Sequence, residues 1–294
     1  MKPPVFEYHR PETVDAALSV LAQAGADGKV LAGGQSLVPV LNMRLAAPAH
    51  LVDINRLAEL AYVRVEPAGV RVGALARHAA VERDGPAYQA VPLLRQALVN
   101  VAHPTIRNRG TTVGSIVHAD PSGEAPAVLT LLGGEMELVS RSGRRTVPAA
   151  EFFVAPLESA LRAGELAVSA YFPAPPPQSG TAWREVSRRH GDYALCGVGV
   201  LVTLDDDLRV AAARAAFISV GPTPVLVELG DAVAGRPFDA VDWGAAAALV
   251  RDRIEPEDDI HATAAYRRHL AGVLTARAGA AAAASAAGRT EEVA

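Results

Sequence analysis

Cysteine is almost missing from this chain of 294 residues: Cys196 stands alone. One thiol excludes an internal disulfide and any iron or zinc cluster held by thiolates of this chain alone. Long apolar runs are missing too, so no membrane-spanning helix is expected. The opening MKPPVFEYHRPET, with Pro3, Pro4 and Glu7 among its first residues, lacks the apolar core of a signal peptide. Basic excess is absent, the formal net charge being -4, whereas a nucleic-acid binder needs a concentrated basic face. Together these absences lead us to expect a soluble, cytoplasmic protein. Lysine is scarce, Lys2 and Lys29 standing against 26 arginines; a coding bias toward arginine accounts for most of this, and Lys29 is singled out only for its place beside a glycine-rich run.

Catalytic signatures are also lacking. No G-x-x-x-x-G-K-[ST] phosphate loop, H-E-x-x-H zinc helix or G-x-S-x-G nucleophile elbow occurs. Gly197-Val198-Gly199 lacks the third glycine of a dinucleotide fingerprint and reads as strand. The eight histidines are scattered, so no metal-ligand set is assigned, and no catalytic acid, base or nucleophile.

What is present is ample core material, half the residues being hydrophobic and a fifth charged, which excludes disorder for the bulk of the chain. At roughly 150 residues per domain the length suggests two domains. Residues 13–24 have an apolar face at Val14, Ala17, Leu18 and Leu21, with Thr13 as cap and Gly25 as stop. Short strands are expected at 29–32 and 50–54, a hairpin on either side of Glu66–Gly69, helices at 92–101 and 124–132, and a second hairpin around Arg141–Arg144. The proline cluster Pro173–Gly180 marks a boundary. Beyond it, strands at 195–204 and 208–220 flank the turn Asp205-Asp206-Asp207, helix fills roughly 241–279, and the tail from Ala280 is expected to fray.

Two glycine-bearing segments remain, Ala32-Gly33-Gly34-Gln35-Ser36 and Thr111-Thr112-Val113-Gly114-Ser115, about eighty residues apart. Glycines let backbone N–H groups approach a phosphate, and the hydroxyls of Ser36, Thr111 and Ser115 add donors. Two such loops could clamp a doubly charged pyrophosphate without a cationic side chain; taken singly, each is as ordinary as any turn.

The run Lys29 to Pro39 followed by His50-Leu51-Val52-Asp53-Ile54-Asn55 resembles the FAD-binding medium subunit of the molybdenum hydroxylases, above all its carbon monoxide dehydrogenase branch. Ile106 to Thr111 with His118-Ala119-Asp120-Pro121, Arg188 to Leu195, and Ala265 to Ala271 match in the same order. The resemblance implies an α+β fold: a two-lobed FAD-binding domain of the vanillyl-alcohol-oxidase (PCMH) type at 1–175, with lobes at about 1–55 and 56–175. A small domain of antiparallel sheet and helices follows at 176–282, then a disordered tail at 283–294. It places the first FAD loop on Ala32, Gly33, Gly34, Gln35 and Ser36, beside Lys29, and the second on Thr111, Thr112, Val113, Gly114 and Ser115. Asp120 and Glu124 would accept hydrogen bonds from ribityl or ribose hydroxyls, and Tyr193 would border the isoalloxazine ring. Val113 departs from the usual glycine, so the backbone there is expected to be β-like or strained.

The resemblance further implies non-covalent FAD on this chain, with molybdopterin on a large partner subunit and two [2Fe–2S] clusters on a small one. The three chains would pair as a dimer of heterotrimers, and this one would pass electrons to an external acceptor. A free-standing flavin-dependent reductase or oxidase of the same fold, and a flavin-free interaction subunit, are the alternatives. The substrate of the complex and the final acceptor cannot be read from these residues.

Overall fold

Three sheets divide the chain, each from a different sequence pattern. The computed structural model describes residues 2–288. Strands Glu7–His9, Gly28–Leu31 and His50–Asp53 form a parallel sheet with His50–Asp53 in the middle. Parallel neighbours require crossovers. The first is helix Val14–Ala24, capped by Thr13, whose hydroxyl accepts from the Ala16 N–H at 3.1 Å, and closed by Gly25 at φ 56°. The second carries the loop Ala32–Ser36 and the short helix Leu37–Asn42.

The second sheet is antiparallel, in the order Val63–Glu66, Gly69–Gly73, Leu166–Pro173, Glu135–Ser140, Gly143–Pro148. Both expected hairpins are there. Helices Thr112–His118 and Glu124–Leu132 pack on this sheet, and Pro92–Leu98 lies against Glu124–Leu132 and strand Ser179–Ser187 of the next. Glu124–Leu132 is buried nearly all round, as its apolar sequence requires, because it lies between this sheet and the next.

The third sheet is antiparallel in chain order: Ser179–Ser187, Ala194–Leu204, Val210–Ile218, Val225–Glu228. Its inner face meets helix Glu124–Leu132 and its outer face carries helices Trp243–Arg253 and Ala264–Ala286. With both faces covered, Ala194–Leu204 is almost continuously buried, which is why it reads as an unbroken apolar run. Cys196 is wholly buried within it, and that burial raises its thiol to about 12, so it is inert. Two apolar cores result. One runs from the first sheet to the inner face of the third; the other fills the space between the third sheet and its outer helices.

The C-terminal helices differ from expectation. Residues 254–263 are not helical and separate two helices, and the second continues to Ala286 where fraying was expected. Alanine carries the highest helix propensity, and Ala278, Ala282 and Ala283 are buried against the sheet. The helix passes so close that a Cβ on Gly180 would overlap the Ala282 carbonyl. The expected disorder at 289–294 falls outside the described residues. Among the described residues no helix is long and apolar enough to cross a membrane.

Candidate functional site

The two glycine segments, far apart in sequence, touch. A Cβ at Gly33 would sit 2.6 Å from the Arg109 carbonyl oxygen, 2.8 Å from Gly110 Cα and 3.0 Å from the Thr111 nitrogen. Only glycine lets these backbones approach so closely. A cleft of about 420 Å³ opens at this contact, lined by Ala32, Gly33, Gly34 and Gln35 together with Asp53, Asn55 and Arg109.

Side chains lock the junction. Arg77 donates to the Arg109 carbonyl at 2.5 Å and to Asn55 Oδ1 at 2.6 Å, while Asn55 Nδ2 donates to the Ala32 carbonyl at 2.8 Å. Burial, then the like charge of Arg109, lowers the Arg77 pKa. Asp53 accepts from the Tyr8 hydroxyl at 2.5 Å and from Asn55. Desolvation opposes its ionisation, but these hydrogen bonds outweigh it and the carboxyl is held below its usual range. Behind the second segment, Arg107 pairs with Glu82 at 2.8 Å and donates to the carbonyls of Val101 and Ala102. His78, pushed down to about 4 by burial and then by Arg107, stays neutral and meets the Thr112 hydroxyl at 3.2 Å.

The second segment is not a strand-like loop. Thr111 caps helix Thr112–His118, its hydroxyl accepting from the Gly114 N–H at 3.2 Å, and a Cβ on Gly114 would overlap that same hydroxyl oxygen. Val113 lies in the first helical turn, 2% exposed and in the core. The expected β-like or strained backbone is therefore corrected: a helical position suits valine and does not need glycine. Thr112 is likewise fully buried, its N–H given to the Ala76 carbonyl and its hydroxyl hydrogen-bonded to His78. Neither side chain reaches the cleft. Ser115 is half-buried on the same helix, and Ser36 stands next to the cleft at the start of helix Leu37–Asn42.

Asp120, Glu124 and Tyr193 come together away from this cleft. Ala119 adopts a left-handed conformation, φ 53°, and turns the chain out of the helix into Asp120. Burial, then Glu185 and Asp120, pushes Glu124 up to about 8, so it is a protonated donor at neutral pH. Glu185 is also raised by burial, against the hydrogen bond it accepts from Trp183 at 2.8 Å. Tyr193 projects from the loop between Ser187 and Ala194, 70% exposed, with its hydroxyl end against Asp120. The loop leans on His103, where a Cβ on Gly191 would fall 2.5 Å from the ring. Tyr193 also lines a larger cleft of about 730 Å³ with Ser122, Asp192 and Arg267, and the Oδ2 of Asp192 there is buried with no hydrogen-bond partner among the described residues. His118 connects the two groups: burial lowers its pKa, Asp120 raises it and Lys29 lowers it, which puts exposed Lys29 on the same front.

Residues 4–175 match the FAD binding domain in molybdopterin dehydrogenase, and residues 181–282 match the CO dehydrogenase flavoprotein C-terminal domain. The chain belongs to the FAD-binding medium subunits of the molybdenum hydroxylases. Subunit alpha of the 6-hydroxypseudooxynicotine dehydrogenase complex of Paenarthrobacter nicotinovorans is 39% identical over 278 residues, 94% of each chain. The carbon monoxide dehydrogenase medium chain of Hydrogenophaga pseudoflava is 38% identical over 285 residues, covering 95% of this chain and 97% of that one. A solved structure of carbon monoxide dehydrogenase from the same organism superimposes with a TM-score of 0.91 at 36% identity, over 97% of this chain and 99% of that one. This medium subunit is thus part of an oxidoreductase, and its α+β architecture is that of an FAD-binding domain followed by a flavoprotein C-terminal domain.

Sequence reasoning missed Asp53, Asn55 and Arg109 as lining of the cleft, and Arg77 as the side chain that ties its junction together. A polar triplet closing a strand, Asp53-Ile54-Asn55, was the available signal for the first two. Arg77 lies in a stretch with no glycine or motif of its own, and only the folded chain brings it to Arg109. The two glycine segments were expected to need no cationic side chain for a pyrophosphate; Arg109 nevertheless lines the cleft.

Proposed function

We propose that the junction of the two glycine segments holds the FAD pyrophosphate, and that this chain carries electrons between a partner's clusters and an external acceptor. The observation that carries this reading is the Gly33 contact with Arg109, Gly110 and Thr111. The cleft beside it offers backbone N–H groups at a distance side chains would forbid, and Arg109 supplies positive charge for a diphosphate. Gly34 and Gln35 extend the first wall and Arg109 the second; Ser36 follows the first in the chain, Thr111, Gly114 and Ser115 follow the second, and Lys29 stands on the same front. Thr112 and Val113 serve from behind by fixing the helix.

When bound, FAD supplies the redox centre, and the protein's part is to place it and set its polarity. Asp120 can accept from sugar or ribityl hydroxyls. Glu124, protonated at neutral pH, can donate to a carbonyl or ring nitrogen at the same place. Tyr193 covers the approach from the C-terminal side, on a loop whose position is fixed by Gly191 against His103. The C-terminal region, 176–282, then closes the site built by 1–175.

With one cysteine this chain cannot hold a cysteine-ligated iron–sulfur cluster, so the electrons have to come from another protein. The relatives named above include a complex subunit and a medium chain, which supports the presence of partner subunits; on this reading they are a large molybdenum–pterin subunit and a small [2Fe–2S] subunit, paired with this chain as a dimer of heterotrimers in the cytoplasm. These relatives act on unlike substrates, and the pocket that selects the substrate lies outside this chain.

The test is anaerobic reduction followed at the flavin band near about 450 nm. The assembled complex should bleach on addition of its substrate, while the isolated, FAD-loaded chain should not bleach with the same substrate at a comparable rate. Rapid bleaching of the isolated chain would identify a free-standing enzyme. An isolated chain that takes up no FAD would overturn the cofactor site itself.

A further inference from the structure

On the edge of the parallel sheet, three side chains with metal-ligand chemistry share one face. Strand Glu7–His9 pairs in parallel with His50–Asp53 so that Glu7 lies opposite His50. Glu7 and His9, two apart on one strand, point to the same side, and the intervening Tyr8 reaches Asp53 instead. His9 Nε2 and His50 Nδ1 are 3.1 Å apart, and the Glu7 carboxylate lies 3.7 Å from the first and 3.5 Å from the second. One potential ligand atom from each residue falls within 4.8 Å of the others.

We propose that Glu7, His9 and His50 form a binding site for a first-row divalent cation of the zinc class. Ligands at about 2.0–2.1 Å from a tetrahedral zinc are about 3.3 Å from one another, and the three separations here bracket that value. Two imidazoles and one carboxylate suit Zn²⁺, Co²⁺, Ni²⁺ or Cu²⁺ over Mg²⁺ or Ca²⁺, which prefer all-oxygen shells. Without a cation the two ring nitrogens must share one proton, one donating and one accepting; the cation replaces that proton. The side chains of His9 and His50 are 22% and 32% exposed and that of Glu7 is 66% exposed, so the remaining positions are open to water. The ion would join two strands that are remote in sequence. It would also tether Glu7–His9 beside Asp53 and Asn55, which line the cleft, and so act as a clip on the cofactor domain rather than as a reaction centre.

An untagged full-length chain stripped with chelator, titrated with Co²⁺ by visible absorption and with Zn²⁺ by competition, tests this. We expect one equivalent bound with a dissociation constant of about 10 µM or tighter, and a rise in Tm of about 5–10 °C at a hundredfold excess over that constant. His9→Ala and His50→Ala should each weaken binding about 100-fold and Glu7→Gln about 10-fold, with the metal-free Tm of each variant unchanged within about 2 °C. No saturable binding below millimolar concentration, or binding that survives unaltered in the double histidine variant, would overturn the site.

Discussion

The front of the cofactor domain and the back of the C-terminal sheet both rest on glycines in forced contact, yet the two contacts fix different things. At the front, Gly33 meets the backbone of 109–111 and brings together two polar segments, Arg109 and a cleft. At the back, Gly180 meets the backbone of the last helix and Gly279 meets the ring of Trp243, sealing an apolar core. The first contact shapes a surface for a ligand and buries little; the second buries a helix. A cofactor site can therefore be damaged with the fold intact, and the fold can be weakened with the site intact, and variants should separate along this line.

The largest effect is expected at Arg267, 6% exposed, which donates to the carbonyls of Leu195 and Ser219 at 2.6 and 2.8 Å and to Asp259 at 2.6 Å. Arg267→Met leaves these acceptors unpaired and should cost about 2–5 kcal/mol by denaturant unfolding. The backbone N–H of Ala262, then that of His261 and the Arg267 guanidinium, pull Asp259 down to about 2. A depressed carboxyl contributes stability above its unfolded value near 3.8, lost as pH falls toward about 2. Asp259→Asn should accordingly flatten the acid limb between those values.

Next come the paired glycine variants. Gly33→Ala should weaken FAD binding about 100-fold, which is about 2.7 kcal/mol, while moving Tm by less than about 3 °C. Gly180→Ala should lower Tm by about 4–10 °C and leave FAD affinity of the folded protein unchanged. If both variants lose stability and flavin together, the separation of roles is wrong.

Glu124 adds a pH dependence at the junction of the two regions. Its raised carboxyl favours folding below the unfolded value near 4.5, and that contribution is lost as pH rises through about 8. In the flavin-free chain Glu124→Gln should raise Tm at pH 8.5 by about 3–6 °C and have little effect at pH 5. A constant difference across that range would remove the burial of a neutral carboxyl from the account. The smallest effect on flavin binding is expected for Val113→Gly: about 2–3 kcal/mol of lost stability, from helix propensity and lost burial, with no gain in FAD affinity. Tighter FAD binding by this variant would restore the loop geometry that the helical Val113 rules out.

Local pattern accounts for much of what the sequence revealed. The cap and stop of Val14–Ala24, both hairpins and the helix Glu124–Leu132 each follow from residues within a few positions of one another. The apolar run at 194–204 was legible because burial on both faces leaves no polar alternation. What could not be read depends on pairing across the chain. Thr111–Ser115 looks like a loop until Ala76 and His78 are seen to fix its first helical turn. The join between Gly33 and Arg109, and the meeting of His9 with His50, exist only once parallel strands are in register. The tail offered alanines without a stop, and only the groove left by Gly180 shows that they continue as a packed helix.

The measurement that bears most directly on the central claim is a comparison of FAD, FMN and riboflavin binding to the purified, flavin-free chain, followed by flavin fluorescence and absorption. If the joined glycine segments hold a pyrophosphate, FAD should bind at least about 100-fold more tightly than FMN or riboflavin, and inorganic pyrophosphate should compete with it. Equal affinity for all three flavins would contradict a pyrophosphate site at this contact.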